Sequence, residues 1–128
     1  MCIETPRAEL MLDMVPTAAT RARSFLRERR CLVHDRRALD DALLLATEIV
    51  TNAVLHGAAP LSITVECDEK YLEIRVRDGS AARPQQRRPT SEDENGRGLL
   101  LLSSVADEWG VDPLSSGGKD VWFRLPNF

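Results

Sequence analysis

The sequence predicts an α+β fold: a two-layer α/β sandwich in which a mixed, mainly antiparallel sheet is covered on one face by about three helices. Three observations predict it. Residues 61–67 and 72–77 alternate apolar and polar side chains on either side of Asp68-Glu69-Lys70, the pattern of a hairpin with one buried face. Residues 37–56 form a long, strongly apolar helical stretch that stops at Gly57. The order of elements is strand, helix, helix, hairpin, long loop, helix, hairpin, which places helices between strands that pair locally.

Each element has its own warrant. Ala8 to Val15 alternates as a first strand, and Pro16-Thr17 breaks it, with Thr17 a suitable N-cap. Ala18 to about Leu32 reads as a helix with Ala22, Phe25 and Leu26 on one side. His34-Asp35 ends that unit, and Arg37 to His56 follows as the second helix. After the central hairpin, Gly79 to Asn95 shows no periodicity and carries two Pro, three Arg and the run Glu92-Asp93-Glu94, as functional loops and lids do. Gly96-Arg97-Gly98 then precedes a short apolar helix from Leu99 to about Ala106. Trp109–Asp112 and Val121–Leu125 read as a closing hairpin.

Composition narrows the class of function. At 128 residues and 43% hydrophobic, the chain is expected to be one domain, 1–128, with a core of its own. Its apolar stretches are too interrupted for a membrane span of about 20 residues, and residues 1–7 carry no apolar signal region. Cys2, Cys31 and Cys67 form no CxxC pair and His34 and His56 are the only histidines, so the expectation is three reduced thiols, no zinc site and a cytoplasmic protein. The net charge of −3 and six aromatic residues make direct nucleic-acid binding a poor fit. Eight Arg against five acids in residues 1–37 mark either a solvated helix face or a docking surface for an acidic partner.

Chemistry concentrates at three places. Glu48, Asn52 and His56 are spaced i, i+4, i+8 and line one face of the long helix. A solvent stripe would carry Lys, Arg and Glu; a carboxylate beside an amide oxygen suits hard-cation coordination and proton abstraction. His56, in the last turn, reads as a partner for the negative end of the helix dipole. Asp78 is in phase with Leu72, Ile74 and Val76, so it points to the core side, where an unpaired charge is costly; it is either the turn residue of an Asp-Gly pair or an acceptor at the floor of a pocket. Gly96-Arg97-Gly98 before a helix is either a turn or an anion-binding helix start. It lacks the third glycine of a dinucleotide fingerprint, and Gly117-Gly118-Lys119-Asp120 is no P-loop.

Together, Glu48-Ile49-Val50-Thr51-Asn52 on a helix, Arg77-Asp78-Gly79-Ser80 after a strand, and Asn95-Gly96-Arg97-Gly98-Leu99 before a helix resemble the GHKL (Bergerat-fold) ATPase superfamily. Within it the chain looks like the small anti-sigma-factor serine/threonine kinases, and the similarity extends to the closing strand Lys119-Asp120-Val121-Trp122-Phe123. The resemblance implies ATP and Mg²⁺ as cofactors. Asn52 stands where an amide oxygen ligates Mg²⁺ held by the ATP phosphates. Glu48 stands where a carboxylate activates the attacking serine or threonine hydroxyl. Asp78 stands where the adenine amino group is accepted. Gly96 and Gly98 match the second glycine box, with Arg97 placed to compensate charge. Ser80 and Leu99 belong to the same ATP-binding motifs, and the ATP lid spans about 80–95.

The expected function is therefore an anti-sigma factor that phosphorylates an anti-anti-sigma protein of the STAS type, with a sigma factor as its other partner and a homodimer as its assembly. Two places depart from the family: Ser80-Ala81-Ala82 follow Asp78-Gly79 without the fuller glycine pattern of histidine kinases, which argues against a histidine kinase, and Asp120 stands on the last strand. Relatives commonly carry Thr where Asp120 stands, near the adenine pocket; an inward Asp120 would crowd two carboxylates together and raise one pKa, whereas the opposite orientation faces solvent. The alternatives are a regulatory module of the same fold that transfers no phosphate, and an ATP-hydrolysing conformational module, which at 128 residues would lack the transducer domain such machines use.

Overall fold

A computed structural model describes residues 7–28, 36–67, 70–81 and 102–126. Five strands and two helices follow in the order β1 (Arg7–Leu12), α1 (Ala18–Glu28), α2 (Arg36–His56), β2 (Leu61–Cys67), β3 (Tyr71–Asp78), β4 (Glu108–Pro113) and β5 (Lys119–Pro126). A helical turn occupies 102–105. The strands form one sheet in the order β1-β2-β3-β5-β4, and each neighbouring pair is antiparallel. The sheet is thus antiparallel throughout its described strands, where the sequence predicts a mainly antiparallel one.

Alternation decides which face meets the helices. Leu61, Ile63, Val65 and Cys67 of β2, Leu72, Ile74 and Val76 of β3, and Val121, Phe123 and Leu125 of β5 are buried on the helix side. They pack with Ala22, Phe25 and Leu26 of α1, with Leu45, Ala46, Ile49, Val50 and Ala53 of α2, and with Leu102. A fully buried Leu, Ile or Phe stabilises the fold by roughly 1.5–3 kcal/mol, so this single cluster holds both layers together. α1 ends its described span at Glu28, and the expected continuation to Leu32 lies outside the described residues. β1 stops at Leu12 rather than Val15, because the chain already turns there: Val15 N donates to Asp13 O at 2.9 Å and Ala18 N to Val15 O at 2.9 Å.

The other sheet face is polar. Cross-strand ion pairs tie it together, with Glu73 opposite Arg124 and Arg77 opposite Asp120. The Arg75 and Arg124 guanidiniums both lie over the Trp122 ring, 5.5 and 5.1 Å from its centroid, and the ring packs on Gly110, where a Cβ would stand 2.8 Å from it. Ser62 and Thr64 point to this face and are nevertheless buried, since β2 is inside the sheet and the long side chains of β1 and β3 flank it.

The thiols correct the sequence reading. Cys67, the only described cysteine, is disulfide-bonded, and its partner lies outside the described residues. Distance along the chain does not decide pairing; the Cα separation in the fold does. Among the described residues no helix is long and apolar enough to cross a membrane.

Candidate functional site

α2 carries Glu48 and Asn52 one turn apart on a side of the helix that the core does not cover. Leu44 and Leu55, on the same stripe, are exposed, while Glu48, Thr51 and Asn52 are half-buried. Thr47 turns its hydroxyl back onto its own helix, donating to Leu43 O at 2.6 Å, so it offers no free donor outward. His56 is exposed in the last turn, as its position at the negative helix end requires.

Asn52 Oδ1 is the notable atom. It is buried and has no hydrogen-bond partner among the described residues. A buried amide oxygen without a donor costs about 1–3 kcal/mol, and such an atom is relieved by a donor or a hard cation. The residues present therefore fit a Mg²⁺ ion at Asn52. Among the described residues no three of His, Cys, Asp and Glu converge on one point, so such an ion would take its remaining ligands from elsewhere, as Mg²⁺ does when it is held by one or two protein groups and substrate phosphates.

Asp78 ends β3 on the helix side of the sheet and is buried. Its Oδ1 accepts from Ser80 N at 2.7 Å. Lys119, directly opposite in the β3–β5 register, donates Nζ to Oδ1 at 3.2 Å and lies 3.1 Å from Oδ2. Lys119 Nζ also reaches Ser80 O at 3.4 Å. Ser80 thus contributes through its backbone, fixing the carboxylate from one side and the ammonium from the other.

Glycines let the backbone close around this pair. Gly57 N caps α2 by donating to Ala53 O at 2.8 Å, and a Cβ on Gly57 would stand 2.9 Å from Asp78 Cγ. The end of α2 therefore abuts Asp78 five residues after Asn52. A Cβ on Gly118 would collide with Asp78 O. The helix that carries Asn52 and the strand end that carries Asp78 are brought together by positions where no side chain fits.

Asp120 does not share this space. It lies on the open face, where Arg77 grips it with two parallel hydrogen bonds, Nε to Oδ1 at 2.8 Å and Nη2 to Oδ2 at 3.0 Å, and Arg75 approaches to 3.6 Å. The hydrogen bond to Asp120 holds the Arg77 guanidinium above its ordinary range. The expected possibility of two crowded carboxylates is thereby removed. The residue facing Asp78 is Lys119, which sequence reasoning missed. The signal was present: Lys119 is in phase with Val121, Phe123 and Leu125, and the phase rule that places Asp78 inward places Lys119 there as well. The remaining predicted residues, Gly96, Arg97, Gly98 and Leu99, and all of the 80–95 lid beyond residue 81 lie outside the described residues.

Comparison with known proteins adds the family. Residues 11–125 match the family model described as the histidine kinase-like ATPase domain. No curated protein matches the chain. Among solved structures, the crystal structure of the RsbU and RsbW domains of Rv1364c from Mycobacterium tuberculosis is similar over 96% of this chain, with a TM-score of 0.67 and 22% sequence identity. That match covers 33% of the solved chain, so this sequence spans about a third of its length, and at this identity the likeness is one of fold.

Proposed function

The chain belongs to the histidine kinase-like ATPase domain family, and from that premise we propose that it is an ATP-binding anti-sigma factor that phosphorylates a serine or threonine of a STAS-type anti-anti-sigma protein. The observation that carries the proposal is Asn52 Oδ1, buried and without a partner among the described residues, on the helix face one turn after Glu48. An amide oxygen in that state is matched to a hard cation, and a carboxylate one turn away is placed to take a proton beside it.

Each residue then has a task. Asn52 holds Mg²⁺ through Oδ1, and Asp78 accepts the amino group of adenine. Glu48 takes the hydroxyl proton of the partner's serine or threonine onto its carboxylate as the oxygen attacks. Bound Mg-ATP supplies the transferable phosphoryl group and neutralises its charge. Gly96, Arg97, Gly98 and Leu99 would sit by the phosphates, with residues 80–95 as the lid. The single domain 1–128, the cytoplasmic location, the homodimer and the sigma-factor partner belong to the same proposal.

A non-catalytic binding module of the same fold is favoured by one observation: Lys119 already occupies part of the Asp78 carboxylate. Two measurements separate the readings. In a thermal-shift titration with ATP and ADP, with and without Mg²⁺, ligand at about 100 times its Kd adds about 2.7 kcal/mol of stability. A Mg²⁺-dependent shift establishes the nucleotide site, and no shift at millimolar nucleotide rejects it. Transfer of labelled phosphate from ATP to a STAS-domain protein then supports the kinase, whereas binding without transfer selects the regulatory module.

A further inference from the structure

We propose that Lys119 is an internal competitor for the ligand of Asp78: the pair closes the carboxylate on itself, and a nucleotide base reaches it only when the Lys119 ammonium swings out. The inference rests on the nucleotide-binding reading above and deepens it. It begins from hydrogen-bonding capacity. An ammonium has three donors. Lys119 Nζ meets Asp78 Oδ2 at 3.1 Å, Asp78 Oδ1 at 3.2 Å and Ser80 O at 3.4 Å, so all three are used. Both oxygens of Asp78 carry the ammonium, and Oδ1 also accepts from Ser80 N at 2.7 Å. Both residues are buried. The pair is complete without a ligand and its charges are matched, so a donor from outside meets a carboxylate that is already satisfied.

Of the two partners, Lys119 is the one free to move. Asp78 is fixed: Ser80 N holds its carboxylate, and the end of α2 is packed so closely that a Cβ on Gly57 would stand 2.9 Å from Asp78 Cγ. The ammonium instead ends a flexible four-carbon stem, and such stems can carry the charge out to water while they stay buried themselves. Apart from Asp78 it is held by Ser80 O alone, in the longest of its three contacts. A neutral amino group is a weaker partner for a carboxylate than an ammonium. The exchange therefore opposes binding, and the apparent affinity for a base is lowered by the fraction of molecules in which the carboxylate stands open.

The test reads affinity and exposure separately. ADP binding in the presence of Mg²⁺ is measured by calorimetry on the full chain and on Lys119→Met. The variant is expected to bind about tenfold more tightly or better, because no competitor has to leave. The chain has two lysines, Lys70, which is exposed, and Lys119, which is buried, so acetylation by an amine-reactive ester, followed by mass spectrometry, has an internal reference. In the wild type, saturating ADP is expected to speed acetylation of Lys119 severalfold relative to Lys70. A ligand that merely covers a static ion pair would slow it or leave it unchanged. An affinity unchanged or lowered in folded Lys119→Met, or acetylation of Lys119 that ADP does not accelerate, overturns the competitor role and leaves the nucleotide site standing. Failure of the folded wild type to bind ADP at millimolar concentration overturns both. If circular dichroism shows Lys119→Met to be unfolded, the acetylation of the wild type alone decides.

Discussion

Lys119 Nζ lies 3.1 Å from Asp78 Oδ2, directly across the β3–β5 register, with the two side chains 9% and 3% exposed. A buried ion pair contributes little beyond an apolar pair of equal volume, but removing one partner strands the other charge and costs about 3–5 kcal/mol. Lys119→Met and Asp78→Asn should therefore each lower unfolding stability substantially in urea titrations. The double variant should recover much of the loss, because no charge is left unpaired. Additive losses in the double variant would show that the two groups are not coupled.

Asn52 should behave in the opposite way. Its Oδ1 is buried without a partner among the described residues, so the free protein bears the cost of that atom. Asn52→Leu should leave the unliganded protein as stable as the wild type or more so, by up to about 1–3 kcal/mol. It should also abolish the Mg²⁺ dependence of nucleotide binding, read as the difference between ADP thermal shifts with and without Mg²⁺. A destabilised variant with an intact Mg²⁺ response would place Asn52 in the core and not at a metal.

Much of this site was legible because strong periodicity leaves little freedom. The α2 face bearing Glu48 and Asn52 follows from helical spacing, and the inward Asp78 follows from strand phase; the structure places both elements as expected. Lys119 was harder to read, because its residue type points to solvent although its phase on β5 points inward. Chemical intuition reads a strand-end Lys as solvated, whereas here a carboxylate across the register draws it inward. The disulfide at Cys67 was not legible, since pairing of distant cysteines depends on tertiary proximity that spacing does not encode.

Asp120 supplies a control. It is buried on the open face and bound by Arg77 and Arg75, away from Asp78. Because Arg77 is half-exposed, solvent screens the pair, and Asp120→Asn should cost about 1 kcal/mol of stability, less than either change at the Asp78–Lys119 pair. The raised Arg77 pKa means that its contribution is fully present below the ordinary arginine range and is lost only as pH rises beyond it. No loss of this pair is therefore expected from Arg77 titration at working pH. ADP affinity of Asp120→Asn should remain within about twofold of wild type by calorimetry, and a larger change would tie the open face to the nucleotide site.

Glu48 separates binding from chemistry. It is half-buried, one turn before Asn52, and has no ion-pair partner among the described residues, so its carboxylate is not committed to the fold. Glu48→Gln keeps the shape and the hydrogen-bonding reach of the side chain and removes the proton acceptor. Stability and ADP affinity should stay near wild type, while phosphate transfer to a STAS-domain protein falls by about 10²–10⁴-fold, the range expected for loss of a general base. Equal transfer rates in the two proteins would remove Glu48 from that role, and a parallel loss of ADP affinity would make it a binding residue.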